Sequence, residues 1–495
     1  KFSPKNNELY INNGDKTFTE SAKEYGIDDI GNSVQATFFD YDKDGDLDLY
    51  VANYPPTPFD APNAYYYYKM QNVKDDESDN LYRNDNGVFT KVTDEAGLRS
   101  YGLTLSATIG DINNDSYPDI FVSNDFSSPD YMYLNNQDGT FTDIIKESTS
   151  QTSFYGMGTD IADFNNDFNL DYIQVDMDAR DNRRSKANMA SMNVDLFWST
   201  VNYGFHYQYM HNTLQLNRGV FNGNKPFFSN VSRLSGISST DWSWGPLFAD
   251  FDNDGWKDIF ISNGTRREIN HRDYFNELKL RPMAKDSLLY YSQNIPSEPI
   301  SNFIFKNNTD LSFSNVTKEW GLDLKNFSNG AAYADLDNDG VAEVIAVTEL
   351  TDVLAYNLDG SSHTGFPMDN EFPFLAAPLV MDMDGDGDLE ILAGSVNSLV
   401  SIDVKSSGSS SGYWSMYRGN AQRTGYYDIT GGSECGVELG DVTGDGIINI
   451  LDLVQVVNLI LEVSSPIYEC AADFNQDGTV NILDLVQIAN NILDN

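Results

Sequence analysis

Short segments in which apolar and polar residues alternate recur along about the first 400 residues, and Gly, Asn and Asp residues separate them. This period of two, together with many Tyr, Phe, Val and Ile residues, predicts short antiparallel β-strands. The strands return in a fixed order: an L-Y-x-N-N segment, an F-T pair, an apolar strand, an Asp-rich loop and a second apolar strand. Clear copies end near Asn53, Asn124 and Asp176, and further loop-strand pairs cover 249–263, 334–347 and 381–394.

Repeats of about 50 residues that bury their apolar faces against one another are typical of the blades of a β-propeller. We therefore predict a mainly β fold, with a β-propeller over 1–430, a linker at 431–439 and a small α-helical domain at 440–495. Insertions at about 53–79, 177–210 and 264–301 lengthen the repeats and are expected in loops. Residues 398–404 and 414–427 also favour strands, and the chain begins part-way through a repeat. We predict that both ends combine into a seventh blade.

The chain is strongly acidic, with 75 Asp and Glu residues against 31 Lys and Arg residues and a formal net charge of −44. Such a charge repels nucleic acids and anionic membrane surfaces, which argues against both as partners. No apolar run approaches the roughly 20 residues that a membrane-spanning helix needs. Residue 1 opens directly into polar sequence, which we interpret as a secreted chain that has already been processed.

The repeated loop follows the pattern D-x-[DN]-x-D-x-x-x-[DE]. Hard cations such as Ca²⁺ bind six to eight oxygen ligands. Positions 1, 3, 5 and 9 offer side-chain oxygens, position 7 offers a backbone carbonyl, and Gly at position 6 permits a sharp turn. An Asp-rich turn without metal is the alternative, but clustered carboxylates repel one another unless a cation is bound. We therefore predict calcium sites in these loops.

Six loops, numbered 1 to 6 in chain order, match the pattern. Loops 2 and 3 carry Ser116 and Phe168 at position 6, so we expect the turn to form less readily there, and least readily in loop 3. The predicted ligands are Asp40, Asp42, Asp44, Asp46 and Asp48; Asp111, Asn113, Asp115, Tyr117 and Asp119; Asp163, Asn165, Asp167, Asn169 and Asp171; Asp250, Asp252, Asp254, Trp256 and Asp258; Asp335, Asp337, Asp339, Val341 and Glu343; and Asp382, Asp384, Asp386, Asp388 and Glu390.

Two C-terminal loops have a different spacing, with oxygens at positions 1, 3, 5, 7, 9 and 12, as in an EF-hand. A short amphipathic helix is predicted after each loop and none before it, which indicates two half EF-hands. All eight loops together predict up to about eight calcium ions. The predicted ligands are Asp441, Thr443, Asp445, Ile447, Asn449 and Asp452 in the first loop, and Asp473, Asn475, Asp477, Thr479, Asn481 and Asp484 in the second.

Only two cysteines occur, Cys435 and Cys470, and they flank the first C-terminal loop. Their spacing does not fit a CxxC metal pair. We predict a disulfide between them, because calcium loops of this kind need the calcium concentrations of extracellular compartments, where disulfides persist. Two unreactive thiols are the alternative.

Residues from about 440 to 494, in which the block NILDLVQ occurs at 449–455 and again at 481–487, resemble a type I dockerin. This resemblance implies docking to a cohesin module. The recognition positions of the family lie beside the twelfth loop ligand, here Ile450, Leu451, Ile482 and Leu483. Both pairs are apolar where many dockerins carry hydroxyls, and the alternative role of these residues is to pack the two helices together.

Residues 1–350, and above all 212–264, look like the FG-GAP/VCBS repeat proteins of the cartilage acidic protein type. That resemblance implies an integrin-like, calcium-bearing propeller that serves adhesion or ligand display. It names no substrate.

Three functions are compatible with the sequence. The first is a non-catalytic secreted adhesion or scaffold protein whose propeller displays a glycan or protein ligand and whose C-terminal domain docks to a cohesin-like partner. The second is an extracellular structural subunit that assembles with copies of itself when calcium reduces their repulsion. The third is a polysaccharide-active propeller enzyme that its dockerin delivers to a complex.

The sequence offers little support for catalysis. The four histidines, His206, His211, His271 and His363, form no H-E-x-x-H motif, and any catalytic acid pair is hidden among the many acids. Aromatic residues are concentrated in two insertions, at 65–68 and at 197–211, the second of which contains His206 and His211. Such residues stack on sugar rings or pack loops over a propeller face, and we favour packing.

Overall fold

The computed structural model describes residues 6–407 except 15–16, 59, 189–193, 222, 281–287, 338–340, 375, 384–387 and 397. In the C-terminal segment it describes residues 440, 442, 448, 450–460, 469–472, 474, 480, 485 and 487–488. The described residues up to Ser407 belong to one compact unit, and those from Gly440 onward belong to a second.

The first unit is a β-propeller with six blades among the described residues. Each blade is an antiparallel sheet whose strands follow one another in chain order, and a two-stranded hairpin precedes blade 1. The strands are β1 (Tyr10–Asn12) and β2 (Phe18–Glu20) in the hairpin; β3 (Ser33–Phe39), β4 (Asp48–Asn53), β5 (Asn80–Asp85) and β6 (Val88–Lys91) in blade 1; β7 (Thr104–Gly110), β8 (Asp119–Asn124), β9 (Tyr131–Asn135) and β10 (Phe141–Asp143) in blade 2.

Blades 3 to 6 continue the same order. Two short strand pairs lie outside the blades: β11 (Thr152–Ser153) with β14 (Gln208–Tyr209), and β19 (Ile300–Ser301) with β22 (Lys325–Asn326). The blade strands are β12 (Thr159–Ala162), β13 (Asp171–Gln174), β15 (Thr213–Phe221) and β16 (Lys225–Asn230); β17 (Ser243–Ala249), β18 (Asp258–Asn263), β20 (Phe303–Asn307) and β21 (Phe313–Asn315); β23 (Ser328–Ala334), β24 (Glu343–Thr348), β25 (Asp352–Tyr356) and β26 (Met368–Asp369); and β27 (Leu379–Met381), β28 (Asp388–Gly394) and β29 (Leu399–Ser407).

The predicted number of seven blades is wrong, since the described part of the chain forms six. The hairpin β1–β2 remains a two-stranded sheet because no further described strand pairs with it, and its residues are exposed at every position. It lies beside blade 6, where the Asn12 side-chain amide donates to the carbonyl of Met383 at 3.3 Å. Residues 414–427, which we expect to supply a further strand, lie outside the described residues, as does the predicted linker at 431–439.

The second strand of a blade is the most deeply buried, because neighbouring blades cover both faces of the sheet. Strands β4, β8, β18 and β24 are buried at every position, which explains why they consist mostly of apolar residues. Apolar side chains of consecutive blades meet in shared clusters. Phe39 and Tyr50 of blade 1, for example, pack with Ile109 and Val122 of blade 2.

The three long insertions connect the second and third strands of blades 1, 3 and 4, so all three leave the propeller on the same face. We call residues 54–79, 175–212 and 264–302 together the cap. Side chains join them: the Asn63 amide donates to Ser199 Oγ at 3.0 Å, and Arg184 pairs with Glu268 at 2.6 Å. The cap helices are α2 (Asn63–Gln71), α4 (Asn182–Ala187), α5 (Val194–Asn202), α6 (Arg272–Lys279) and α7 (Leu288–Gln293), with a 3₁₀ turn at Asp75–Glu77; α1 (Ala22–Tyr25) and α3 (Ile145–Ser148) lie outside the cap.

The second unit contains α8 (Ile450–Ile460) and a 3₁₀ turn at Glu469–Ala472. Its fully buried apolar side chains are Val442, Val456, Ala471, Ala472 and Ile488. Across the described residues of both units, no helix is long and apolar enough to cross a membrane.

Candidate metal centres

The six acidic loops connect the first and second strands of their blades, which places them on the propeller face opposite the cap. Loops 1 to 4 are described completely, and positions 4 and 6 have positive φ angles in all of them. At position 6, φ is 94° in Gly45, 68° in Ser116, 67° in Phe168 and 87° in Gly255. The turn therefore has one form in all four loops, although a side chain makes this conformation costly at Ser116 and Phe168.

The carboxylate at position 1 closes the turn by accepting backbone N–H groups. Asp111 accepts a hydrogen bond from the N–H of Asp115 at 3.1 Å and another from the N–H of Ser116 at 2.6 Å. Loops 3 and 4 contain the same pair of bonds, and Gly45 donates to Asp40 at 3.2 Å in loop 1. The position-5 carboxylate accepts from the position-7 N–H at 2.9–3.0 Å in all four loops. These bonds hold the first half of each loop in place.

The carboxylate at position 9 is buried and bridges two backbone segments. Asp48 accepts one hydrogen bond from the N–H of Tyr41 at 2.9 Å and another from the N–H of Asn84 at 2.8 Å. Asp258 makes the same two kinds of contact in blade 4. Burial, and to a smaller extent the neighbouring aspartates, raise the pKa of Asp48 and of Asp258 to about 7. Without a cation, therefore, the loop disfavours its own charged form.

Carboxylates of three loops converge closely. One oxygen each from Asp40, Asp42 and Asp48 lies within 4.8 Å of the others. The same holds for Asp250, Asp252 and Asp254 in loop 4 and for Asp335, Asp337 and Glu343 in loop 5.

Several loop oxygens are buried and accept no hydrogen bond: Asp40 Oδ1 and Asp42 Oδ1 in loop 1, Asn165 Oδ1 in loop 3 and Asp252 Oδ1 in loop 4. Native proteins rarely leave buried oxygens without a partner, because the loss of hydration costs about 1–3 kcal/mol for each. A hard cation would satisfy all of them. The donor set of these loops therefore fits calcium.

Loops 2 and 3 compensate part of their charge with amides. Asn113 at position 3 donates to Asp115 at 2.8 Å, and Asn165 donates to Asp167 at 3.0 Å. Asn224 also donates to Asp115, at 2.9 Å. At positions 1, 3, 5 and 9 these two loops therefore contain one carboxylate fewer than loops 1 and 4, and the position-5 carboxylate accepts hydrogen bonds from amides.

Loops 5 and 6 are described in part. Asp335, Asp337, Val341 and Glu343 are described in loop 5 and Asp382, Asp388 and Glu390 in loop 6, whereas Asp339, Asp384 and Asp386 lie outside the described residues. The position-9 glutamates replace the aspartates of loops 1 to 4. Leu336 donates its N–H to Glu343 at 2.7 Å, and Met383 donates to Glu390 at 2.6 Å.

Most ligands predicted in the C-terminal loops lie outside the described residues, and Asp452, in the first turn of α8, is fully buried. Leu451, one of the predicted docking residues, is 59% exposed, and Ile450 is described by its helical backbone alone. Cys470 is likewise described by its backbone, so the disulfide stays a prediction. Outside the described residues are Asp441, Thr443, Asp445, Ile447, Asn449, Asp473, Asn475, Asp477, Thr479, Asn481, Asp484, Ile482, Leu483 and Cys435.

Asparagines connect one loop to the next, and the spacing of the acidic residues did not predict them. The backbone N–H of Asn135 donates to Asp119 of its own blade at 2.7 Å, and its side chain donates to the carbonyl of Tyr41 in loop 1 at 2.8 Å. Asn217 and Asn307 make the same two kinds of bond in blades 3 and 4. The asparagine repeated in the third strand was the available signal.

The cap contains the aromatic insertions. Tyr66 and Phe205 are buried in one cluster with Tyr101, as packing of the insertions requires. Tyr68 and Trp198 remain 62% and 52% exposed. His206 and His211 are buried, and burial lowers the pKa of His206 to about 4.

Residues 2–51, 72–122 and 111–173 match the family model of the FG-GAP-like repeat, and residues 439–493 match that of the Dockerin type I domain. Cartilage acidic protein 1 of Xenopus tropicalis is 36% identical over 88 residues, which are 17% of this chain and 13% of that protein. The chain thus matches only a small part of the length of this curated relative. A Dockerin type I domain implies calcium binding by EF-hand loops.

Two solved structures have similar folds. A crystal structure of BBS1N in complex with ARL6DN is 11% identical, with a TM-score of 0.37 over 77% of this chain and 81% of that chain. The biofilm matrix protein Bap1 of V. cholerae is 11% identical, with a TM-score of 0.34 over 76% of this chain and 54% of that chain. Likeness at this level carries no argument about function. The chain therefore joins FG-GAP-like repeats in a β-propeller to a C-terminal Dockerin type I domain.

Proposed function

We propose that this protein is a non-catalytic, secreted, calcium-binding adhesion or scaffold protein. Its propeller displays a binding surface for a glycan or protein ligand, and its dockerin domain docks to a cohesin-like partner. The observation that carries this proposal is the presence, in one chain, of a Dockerin type I match over 439–493 and a propeller whose loops gather carboxylates. Dockerin domains bind cohesin modules, which gives the C-terminal domain its class of partner.

Calcium in the propeller loops is the structural part of the proposal. The unpartnered buried oxygens of Asp40 and Asp42 support it, and so does the raised pKa of Asp48, since all three carboxylates meet within one loop. A divalent cation removes their repulsion and supplies the missing partner at the same time. The C-terminal ligand set and the Cys435–Cys470 disulfide belong to the same proposal of an extracellular, calcium-rich setting.

The two faces of the propeller have different roles in this proposal. The loop face binds calcium and links the blades, whereas the cap face carries exposed aromatic residues, including Tyr68 and Trp198. Aromatic side chains with polar edges are common in binding surfaces. Two of the three cap histidines, His206 and His211, are buried and so do not belong to this outer surface.

A capture experiment tests the proposal. The full chain is passed over a panel of immobilised type I cohesin modules in calcium and in chelator. We expect calcium-dependent capture by at least one module, and loss of capture in the double variant Asp441→Ala/Asp473→Ala, which removes the first ligand of each C-terminal loop. The matched propeller variant Asp40→Ala/Asp250→Ala should be captured normally.

Undiminished capture of the Asp441→Ala/Asp473→Ala variant would refute this role, as would failure of every module to capture the chain. Light scattering of the same samples without cohesin tests the alternative function, a structural subunit that assembles with copies of itself. Particles that grow with calcium would favour a self-assembling structural subunit.

A further inference from the structure

In blade 4 a lysine ammonium group lies inside the acidic loop. Lys306 Nζ contacts Asp252 Oδ2 and lies 3.0 Å from Asp254 Oδ2, so it pairs with positions 3 and 5 of loop 4 at once. The three side chains are between 24% and 35% exposed, which makes this a half-buried ion pair. Lys306 thus pairs with the residues of loop 4 that correspond to Asp42 and Asp44 of loop 1.

In blades 1 to 4, the residue at the position of Lys306 varies together with position 3 of the loop. It directly precedes the asparagine whose backbone N–H bonds the position-9 carboxylate, so it is the same structural position in blades 1 to 4. Where position 3 is Asp42 or Asp252, the preceding residue is a cation. Where position 3 is Asn, it is leucine. The four pairs are Asp42 with Arg83, Asn113 with Leu134, Asn165 with Leu216, and Asp252 with Lys306.

Arg83 and Lys306 direct their charges differently. The Arg83 guanidinium pairs with Asp85, beyond the end of loop 1, through two nitrogens at 2.9–3.2 Å. Lys306 instead holds an oxygen of Asp252, and the other oxygen of Asp252 remains without a partner. In loop 1, therefore, Arg83 leaves the carboxylates of Asp42 and Asp44 available. In loop 4, an ammonium group occupies one oxygen of Asp252, which corresponds to Asp42.

We propose that Lys306 is a built-in competitor of the divalent cation at loop 4, so that calcium enters this loop only by displacing the ammonium group. This inference rests on the proposed binding of calcium to the propeller loops. Lysine suits the task because its ammonium is a compact point charge on a flexible stem, which can leave the loop and become hydrated. Loop 4 therefore binds calcium more weakly than loop 1, and it stays folded when calcium is scarce.

Trp256 provides a local signal for this site. It occupies position 7 of loop 4, where its backbone N–H donates a hydrogen bond to Asp254 Oδ1 at 3.0 Å. Terbium binds calcium sites and luminesces when a nearby indole transfers energy to it. Excitation of tryptophan in the full chain, with the Trp256→Phe variant as baseline, therefore reports terbium at loop 4 and its displacement by calcium.

The test compares Lys306→Leu with Arg83→Leu. Leucine is the residue that blades 2 and 3 carry at this position, so the fold tolerates it. We expect Lys306→Leu to lower the terbium and calcium concentrations that half-saturate the Trp256 signal about ten-fold, since a half-exposed ion pair no longer has to break. Lys306→Arg should restore much of the wild-type value, and Arg83→Leu should leave the Trp256 titration unchanged.

A second readout needs no metal. In chelator, Lys306→Leu should lower the unfolding midpoint of the propeller because loop 4 loses its counter-charge. Equal half-saturation in wild-type protein and Lys306→Leu would overturn the inference while leaving the proposed calcium sites intact. Absence of any Trp256-dependent terbium signal in wild type and in Lys306→Leu would instead contradict calcium binding at loop 4 itself.

Discussion

The side-chain amide of Asn217 donates a hydrogen bond to the backbone carbonyl of Ile112, 2.8 Å away, and so ties blade 3 to the acidic loop of blade 2. Ile112 in turn donates its N–H to Asp119, the position-9 carboxylate of that loop, at 3.0 Å. The backbone N–H of Asn217 bonds Asp171, which occupies position 9 in the next loop, at 2.7 Å. Consecutive loops are thus linked through the backbone of Ile112 and through Asn217.

Removal of this link should weaken the propeller. We expect Asn217→Ala to lower the free energy of unfolding by ~2 kcal/mol, since it leaves the buried carbonyls of Ile112 and Leu170 without their amide donor. Thermal unfolding monitored by circular dichroism in chelator measures the change. The matched control is Asn136→Ala, whose exposed amide bonds Thr140 and Thr142 within its own hairpin. Equal midpoints for the two variants would contradict the role of the asparagine link.

The repeats, the loops and the insertions could be predicted from the sequence because their signals are local. The alternation of apolar and polar residues, the spacing of the aspartates and the extra length of the insertions can each be recognised within the sequence of a single blade. The blade count could not be predicted, because closure depends on which distant strands pair. The hairpin β1–β2 contacts blade 6 at Met383, 371 residues away from Asn12 in the chain.

The partners of Arg184 also could not be predicted, because they are distant in the sequence. Its guanidinium pairs with Asp241 and Glu268, which are 57 and 84 residues away in sequence, and nothing near Arg184 indicates this contact. Conversely, the sequence made Phe168 look unsuited to its turn, yet its φ of 67° matches the glycines in the other loops. The backbone and side-chain hydrogen bonds within loop 3 outweigh the preference of one residue.

The Arg184 network should hold the cap together. Arg184 is almost fully buried and pairs with Asp241, Glu268 and Glu298 at 2.6–3.0 Å. Arg184→Met leaves these acids without their counter-charge, so we expect a loss of about 3–5 kcal/mol in the stability of the cap. Limited proteolysis and hydrogen exchange of residues 264–302 measure it. The control is Arg183→Met, since Arg183 is 61% exposed and its ion pair among the described residues is with Glu298. Similar loss in both variants would contradict the prediction.

A buried acid away from the loops should make stability depend on pH. Burial raises the pKa of Asp125 to about 7 from the ordinary 3.8. Between these values the folded state holds a proton that the unfolded state has released, so the free energy of unfolding falls as pH rises from about 4 to 7. Asp125→Asn cannot titrate, and its amide still pairs with Tyr54 and Phe126.

Relative to wild-type protein, Asp125→Asn should therefore gain on the order of 2 kcal/mol of stability between pH 4 and pH 7. Denaturant unfolding at both pH values, in chelator to exclude calcium effects, gives the difference directly. Parallel pH profiles for the two proteins would contradict the prediction.

Loop 1 should bind one ion through its clustered carboxylates. Asp40→Asn lowers the charge of the cluster formed with Asp42 and Asp48, so calorimetric titration should detect one calcium ion fewer at moderate concentration. The control is Asp46→Asn, because position 7 offers only its backbone carbonyl and the Asp46 side chain bonds Asn86 outside the cluster. An unchanged stoichiometry in Asp40→Asn, or an equal loss in Asp46→Asn, would place the ion elsewhere.

Calcium titration of the intact chain, followed by calorimetric unfolding with and without chelator, tests the central claim most directly. The two C-terminal loops account for about two ions. We predict that the chain binds more than two, that the excess survives in the variant Asp441→Ala/Asp473→Ala, and that calcium raises the unfolding midpoint of the propeller. Binding of two ions or fewer, with a propeller transition that is the same in chelator, would contradict the account.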